Sequence, residues 1–92
     1  MMEAVVTVRH PVGLHARPAA LFVKTAGRFS SQIQVRNLTR GLGPVDAKSI
    51  LSVLTLGVEQ SHQIHLQVEG KDEQEALHTL VDLVEQDFLA EE

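Results

Sequence analysis

The sequence contains no cysteine, tryptophan or tyrosine, and only three phenylalanines among its 92 residues. Without cysteine the chain can form neither a disulfide framework nor a thiolate metal site. With so few aromatic rings it offers no stacking platform for nucleic-acid bases. These absences exclude disulfide-stapled folds, thiolate zinc sites and aromatic binders of single-stranded nucleic acid.

Positive charge is also scarce, because eight Lys and Arg residues are outnumbered by twelve Asp and Glu residues, for a formal net charge of −4. Cations that neutralise phosphates supply most nucleic-acid affinity, so we expect no nucleic-acid partner. No apolar run approaches the length of a membrane span, and the first residues lack the pattern of a secretion signal. We therefore expect one domain over residues 1–92 that does not insert into a membrane. We also expect a monomer, and a cytoplasmic location is compatible with the absence of cysteine.

Histidine is the side chain that could supply nitrogen ligands to a metal, and it occurs five times. The five histidines do not show a ligand spacing such as two on one helical face with a third carboxylate. They are His10, His15, His62, His65 and His78. The sequence therefore supports neither a metal site nor a cofactor, and we expect none.

Alternating polar and apolar residues predict four strands. Residues 3–9, 32–38 and 63–69 alternate clearly, so each strand has one buried and one wet face. A short strand around residues 45–47 pairs back across a turn at residues 39–44, which contains two glycines and a proline.

Helical spacing predicts three helices, over about residues 18–27, 49–55 and 73–88. In the first, the spacing buries Ala19, Ala20, Val23 and Ala26 and leaves Lys24, Thr25 and Arg28 in water. Asp46 and Ser49 are both competent N-caps for the second. Asp72 and Glu75 have capping-box spacing at the start of the third. The third buries a stripe formed by Leu77, Leu80, Val81, Val84 and Phe88, and its tail at residues 90–92 is expected to fray.

The predicted order is β-α-β-β-α-β-α. Strands with one apolar face and helices with one apolar stripe cover each other in a two-layer sandwich. The sequence therefore predicts an α+β fold.

The most specific chemistry lies in the segment HPVGLHARPAA, residues 10–20, between the first strand and the first helix. His15 supplies a nitrogen nucleophile just before a helix start, where unpaired N–H groups attract anions. Arg17 adds a fork of donors that suits phosphate oxygens. This arrangement predicts a phosphohistidine at His15, stabilised by the Arg17 side chain and the N–H groups of Ala16 and Arg17. The alternative is that His15 is a capping or loop residue and that Arg17 pairs with a surface carboxylate.

Residues 13–20, GLHARPAA, resemble the active-site signature of the HPr family, the histidine phosphocarriers of the bacterial phosphotransferase system. Residues 47–51 and 54–57, AKSIL and LTLG, resemble the family's second signature, and residues 70–76 resemble the start of its last helix. The resemblance covers nearly the whole chain in the right order. It implies an open-faced β-sandwich, in which three helices cover one face of a four-stranded antiparallel sheet.

The resemblance also implies a function. It implies a carrier, not a freestanding enzyme, that accepts a phosphoryl group from enzyme I on His15, at the ring nitrogen Nδ1, and passes it to enzyme IIA domains in sugar uptake. In some bacterial lineages an HPr kinase/phosphorylase phosphorylates the serine that Ser49 matches, and the alternative is that Ser49 only caps a helix. It further implies that Ile50, Leu51 and Leu54 form a docking patch, against the alternative of core packing. We expect Leu51 and Leu54 to be at least partly exposed.

Two features depart from the family pattern. Val12 stands where a polar residue often hydrogen-bonds near the active histidine, so that contact is expected to be absent or supplied by His10. The turn near residues 41–44 is a few residues longer than usual, which costs little stability.

Two other functions remain open. An HPr-like carrier in a nitrogen-regulatory or dihydroxyacetone-kinase branch would use the same transfer residues. A regulatory binding module would act through Ser49 without using His15, although the presence of both His15 and Arg17 disfavours it. A freestanding enzyme would need paired acid and base groups or a cofactor motif, and the sequence has neither.

Overall fold

The computed structural model describes residues 1–89, and these contain the seven elements in the predicted order. The strands are β1 (Met2–Thr7), β2 (Gln32–Asn37), β3 (Leu42–Asp46) and β4 (Gln63–Glu69). The helices are α1 (Ala16–Ala26), α2 (Ile50–Leu54) and α3 (Glu73–Glu85). All strand pairs are antiparallel in the order β1-β4-β2-β3, which confirms the predicted α+β fold.

Strand β4 lies in the middle of the sheet and pairs with β1 on one side and β2 on the other. Its side chains alternate as the sequence predicts, because Ile64, Leu66 and Val68 are buried while Gln63 and Glu69 are exposed. Helix α3 packs against β1 and β4, and α1 packs against α2 and α3. The helices therefore cover one face of the sheet and leave the other face to solvent.

Asn37 is a polar residue on the buried face of β2. Strand alternation places it there after Ile33 and Val35, and its side chain is fully buried. Its amide Nδ2 donates to the Leu56 carbonyl at 2.9 Å, and its Oδ1 accepts from the Arg40 N–H at 3.2 Å. These bonds replace those lost from water, so the polar group is tolerated in the core.

Strand β3 begins earlier than predicted, at Leu42. Asn37 pairs with Leu42 and Val35 pairs with Val45, so Arg36 alone faces two residues of β3. That pattern is a β-bulge. The bulge therefore accommodates one residue of the long β2–β3 connection within strand β3.

The buried side of α1 is rotated from the predicted one. The buried residues are Pro18, Ala19, Leu21, Phe22, Thr25 and Ala26. The prediction that Thr25 faces water is therefore wrong, and Ala20 is exposed. The reason is Phe22, a large and fully buried side chain, which brings Thr25, three positions further along the helix, onto the buried side.

The predicted apolar stripe of α3 is confirmed. Leu77, Leu80, Val84 and Phe88 are buried and Val81 is half-buried. Phe88 lies beyond the end of the helix, and it is turned into the core by a left-handed turn at Asp87 and Phe88 with φ of 54° and 60°. The expected fraying at residues 90–92 lies outside the described residues. None of the described helices has the length and apolar character that a membrane crossing requires.

The predicted capping box of α3 is wrong. Asp72 occupies the N-cap position, but its side chain makes no capping hydrogen bond. Its carboxylate instead accepts from the backbone N–H groups of Ser30 and Ser31 at 2.9 and 3.0 Å, and from the Ser31 hydroxyl. Asp72 therefore joins the start of α3 to the α1–β2 connection, and these hydrogen bonds lower its pKa from 3.8 to about 2.

Acid stability should report this contact. Because the Asp72 pKa is lower in the folded protein, the ionised carboxylate stabilises the fold above pH 3.8, and that contribution is lost as the pH falls toward about 2. We expect Asp72→Asn to unfold at a lower temperature than the wild type at pH 7, with a difference that shrinks across this pH range. Thermal unfolding from pH 7 to 2 measures it.

The matched control is Glu75→Gln, a neighbouring exposed carboxylate on the same helix. A gap between Asp72→Asn and the wild type that stays constant with pH would contradict the assignment.

Candidate functional site

The loop between β1 and α1 lies against the turn that precedes β4. Val8 donates its N–H to the His62 carbonyl at 2.9 Å, and Ser61 donates back to the Val8 carbonyl at 2.6 Å. Further along, Leu14 donates to the Val58 carbonyl at 2.9 Å and buries its side chain completely. The residue after Leu14 is His15, so these contacts set where its imidazole stands.

Gly13 allows this close approach. Its φ is +73°, in the left-handed region, and a Cβ built on it would lie only 2.2 Å from the Val58 carbonyl oxygen. Only glycine fits both conditions without strain. Gly13 therefore permits both the turn of the loop and its contact with Val58.

His15 occupies the N-cap position of α1 with an extended backbone (φ −129°, ψ 168°). Its side chain makes no capping hydrogen bond, so the alternative that the imidazole caps the helix is wrong. The ring is 33% exposed, and its Nε2 lies 3.4 Å from Oε2 of Glu59. The imidazole is therefore reachable from solvent at the positive end of a helix.

The first N–H groups of α1 remain free to bind an anion. Among residues 1–89, neither Ala16 nor Arg17 donates its backbone N–H to another group of the protein, and Pro18 has no N–H. Ala16 has a φ of +49°, an uncommon conformation for a residue with a side chain. Two adjacent unpaired amides beside an imidazole suit the oxygens of a phosphoryl group.

Arg17 reaches away from α1 toward the end of the chain. Its Nη1 donates to the Phe88 carbonyl at 3.4 Å, and within residues 1–89 its guanidinium has no carboxylate partner. The alternative in which Arg17 pairs with a surface carboxylate therefore finds no support here. The Phe88 contact is long for a hydrogen bond, so it is weak.

Val12 leaves no side-chain donor near His15, and His10 does not supply one. The Nδ1 of His10 accepts the Val12 N–H at 3.1 Å, and its ring packs edge-on against Phe88 with centroids 6.0 Å apart. Among the described residues no hydrogen bond joins His10 to His15. His10 thus organises the loop, and the charged side chain beside His15 is Glu59.

Glu59 and Phe88 are the site residues that the sequence does not reveal. The local pattern marks Glu59 only as one residue of a turn, and Phe88 only as part of an apolar stripe. Neither has a local signal of its role, because each meets the His15 loop through tertiary contacts alone.

Ser49 and the apolar residues after it form a separate part of the surface. Ser49, and not Asp46, is the N-cap of α2, and its hydroxyl accepts the Ser52 N–H at 3.3 Å. Asp46 instead accepts the Lys48 N–H at 2.9 Å. Ser49 therefore does act as a helix cap.

The α2 patch consists of Ile50, Leu51 and Leu54, which are 39%, 76% and 38% exposed. The expected partial exposure of Leu51 and Leu54 is confirmed. The other apolar side chains of this segment, Val53 and Leu56, are buried. One side of α2 thus packs into the core while the other presents apolar surface to solvent.

The described histidines do not gather metal ligands. His65 pairs with Glu3 at 2.7 Å and His78 lies 3.9 Å from Asp82, and within residues 1–89 no group of three or more His, Asp or Glu side chains could hold an ion. A groove of about 780 Å³ over α3 is lined by Met2, His78 and Val81 among others, and His15 is not part of it.

The sequence matches the family described as PTS HPr component, phosphorylation site, over residues 2–86. The chain belongs to the HPr family. A crystal structure of HPr from Thermoanaerobacter tengcongensis superposes with a TM-score of 0.91 at 48% identity and covers 100% of both chains. The HPr fold predicted from the resemblance is thereby confirmed, and with it membership of the phosphocarriers of the phosphotransferase system.

Three relatives show the range of proteins that carry an HPr domain. The phosphocarrier protein HPr of Pseudomonas aeruginosa is 42% identical over 86 residues, which is 90% of each chain. The HPr-like protein Crh of Halalkalibacterium halodurans is 41% identical over 87 residues, 95% of this chain and 100% of Crh. The multiphosphoryl transfer protein of Haemophilus influenzae is 42% identical over 74 residues, 80% of this chain, which spans only 15% of that longer protein.

Replacing Gly13 should test the close approach of the loop. Gly13→Ala adds both left-handed strain and a clash with the Val58 carbonyl, whereas Gly41→Ala adds only the strain, because Gly41 has a φ of +68° and no atom lies within 4 Å of where its Cβ would stand. We expect Gly41→Ala to cost about 1–2 kcal/mol and Gly13→Ala to cost more. Urea unfolding measures the free energy of unfolding of both variants. Equal losses would contradict the conclusion that the Val58 carbonyl leaves no room for a side chain at residue 13.

Proposed function

We propose that this HPr-family chain accepts a phosphoryl group from phosphorylated enzyme I on Nδ1 of His15 and passes it to enzyme IIA domains in sugar uptake. It acts as a monomeric, cytoplasmic carrier that is recharged in each cycle, not as a freestanding enzyme. The observation that carries the proposal is a solvent-accessible imidazole at a helix N-terminus whose first two amides have no partner among residues 1–89.

Transfer to His15 is mainly a matter of positioning and charge stabilisation. The incoming phosphoryl oxygens bind the N–H groups of Ala16 and Arg17. The Arg17 guanidinium leaves the Phe88 carbonyl, which it contacts at 3.4 Å, for the more favourable charge-assisted bonds to phosphate. The P–N bond formed on the imidazole keeps the group easy to pass on.

The α2 patch is the proposed docking surface for enzyme I and enzyme IIA domains. Leu51 is 76% exposed at its centre, and exposed apolar side chains of this kind are typical of partner surfaces. Ser49 begins the same helix, so a phosphate placed there by an HPr kinase/phosphorylase would put a dianion at the edge of the patch. Such a charge opposes docking, because burying it against an apolar partner surface carries a desolvation cost.

A second candidate function is regulation through Ser49 without transfer by His15. A solved relative described as Crh, the catabolite repression HPr of Bacillus subtilis, is 42% identical to this chain over 90% of its length and favours this candidate. The transfer residues are shared by carriers of sugar-uptake, nitrogen-regulatory and dihydroxyacetone-kinase branches, so the branch is decided by the acceptors that the phosphorylated protein discharges to.

Intact-mass spectrometry after mixing with phosphoenolpyruvate and enzyme I tests the transfer. We expect one acid-labile phosphoryl group on the wild type and none on His15→Ala, because the proposed nucleophile is gone. His78→Ala is the matched control, since His78 is exposed on α3 away from the loop, and it should accept the group normally.

Transfer that persists in His15→Ala would contradict His15 as the acceptor. Absence of transfer to the wild type from several enzyme I sources would favour the Ser49 regulatory module over the carrier.

The docking surface has its own test in Leu51→Ala. Truncating this exposed side chain should leave stability unchanged and raise the KM of enzyme I for the carrier on the order of fivefold. Val5→Ala, on the exposed face of the sheet at 50% exposure, is the matched control and should leave that KM unchanged. An equal KM for the two variants would show that enzyme I docks elsewhere.

A further inference from the structure

We propose that Glu59 is a positioning residue that holds the proton of the neutral His15 imidazole on Nε2 and so leaves the Nδ1 lone pair free for the phosphoryl group. The inference rests on the proposed function and deepens it, because it names the residue that selects which ring nitrogen reacts.

The contact between the two side chains is the first observation. Oε2 of Glu59 lies 3.4 Å from Nε2 of His15. The pair is within ion-pair distance but lacks hydrogen-bond alignment, so the carboxylate acts through its charge, which attracts the tautomer that presents an N–H toward it and repels the one that presents a lone pair. Within residues 1–89 no hydrogen bond engages Nδ1 of His15, so nothing opposes that choice.

The backbone of Glu59 is held by a polar chain that leads into the core. Its N–H donates to Nδ1 of His62 at 3.1 Å, and the same nitrogen lies 3.2 Å from Nδ2 of the fully buried Asn37. The preceding residue, Val58, accepts the Leu14 N–H at 2.9 Å. The carboxylate therefore faces His15 from a turn whose position is fixed. Because the contacts that fix the turn use the backbone of Glu59 and Val58, a side-chain substitution at Glu59 should leave the turn intact.

The contact also fits the proton balance of the transfer. The Nδ1 lone pair forms the N–P bond, and the bond from phosphorus to the donor breaks with its electron pair leaving on the donor. No proton leaves the ring, so the imidazole keeps its Nε2–H and gains a positive charge. The Glu59 carboxylate faces that charge, as an aspartate faces histidine in a catalytic triad.

The alternative is a surface ion pair that forms only when His15 is protonated. Glu59 is 63% exposed, and exposed ion pairs contribute little. Under this alternative Glu59 would have no effect on the neutral ring, so the tautomer of neutral His15 separates the two cases.

Two-bond ¹H–¹⁵N correlation spectra of ¹⁵N-histidine-labelled protein at about pH 9, where imidazoles are neutral, measure the tautomer directly. We expect the wild type to hold His15 as Nε2–H. Glu59→Ala should lower the ratio of Nε2–H to Nδ1–H on the order of threefold to tenfold, because solvent weakens an exposed contact of 3.4 Å to the strength of an ordinary neutral hydrogen bond. Glu59→Gln, which keeps an acceptor oxygen but loses the charge, should fall between.

Glu75→Gln is the charge-matched control, and it should leave the His15 tautomer as in the wild type. An unchanged tautomer ratio in Glu59→Ala, with His62 signals like those of the wild type, would overturn the proposal. The measurement uses unphosphorylated protein without enzyme I, so it stands or fails independently of whether His15 accepts a phosphoryl group.

Discussion

The candidate site depends on one close approach, between the loop after β1 and the turn before β4. Leu14 donates to the Val58 carbonyl at 2.9 Å, and Gly13 lies so near that carbonyl that any side chain there would clash with it. Because Leu14 is fully buried, the same contact belongs to the core. His15 and the free amides of α1 follow within a few residues, so both move with this loop.

The turn on the other side of that approach is tied to the sheet by a buried amide. Asn37 bonds the Leu56 carbonyl at the end of the α2 segment and lies within hydrogen-bond distance of His62. Fully satisfied polar groups in a core specify one arrangement, because each alternative would leave a buried donor or acceptor unpaired. The core thus fixes the positions of Val58 and Glu59, and through them the surroundings of His15.

The form of the site agrees with the proposed transfer of a phosphoryl group between proteins. His15 stands partly exposed at a helix end and is not part of the groove over α3. The apolar α2 patch offers a surface to a partner, and a partner could supply the enclosed environment that this chain does not itself build around the imidazole.

Local patterns predict most of the fold. The alternation over β4 locates that strand to the residue, and the apolar stripe of α3 extends to Phe88 as its spacing indicates. The buried side of α1 is not predicted correctly, because the large side chain of Phe22 decides which side faces the core and the small residues around it do not. The β3 bulge is not predicted either, because the register of a strand is set by its pairing across the sheet. The signature around His15 and Arg17 can be recognised in the sequence because its residues are neighbours in the chain.

The sequence by itself determined the order of the elements, the faces that most of them bury, the family and the helix end at which His15 stands, since each depends on residues within a few positions of one another. Only the tertiary structure decided what those groups meet. Asp72 binds Ser30 and Ser31 across about forty residues, Glu59 faces His15, and Arg17 reaches Phe88. No periodicity encodes such contacts, because they form only when the sheet and helices bring distant parts of the chain together.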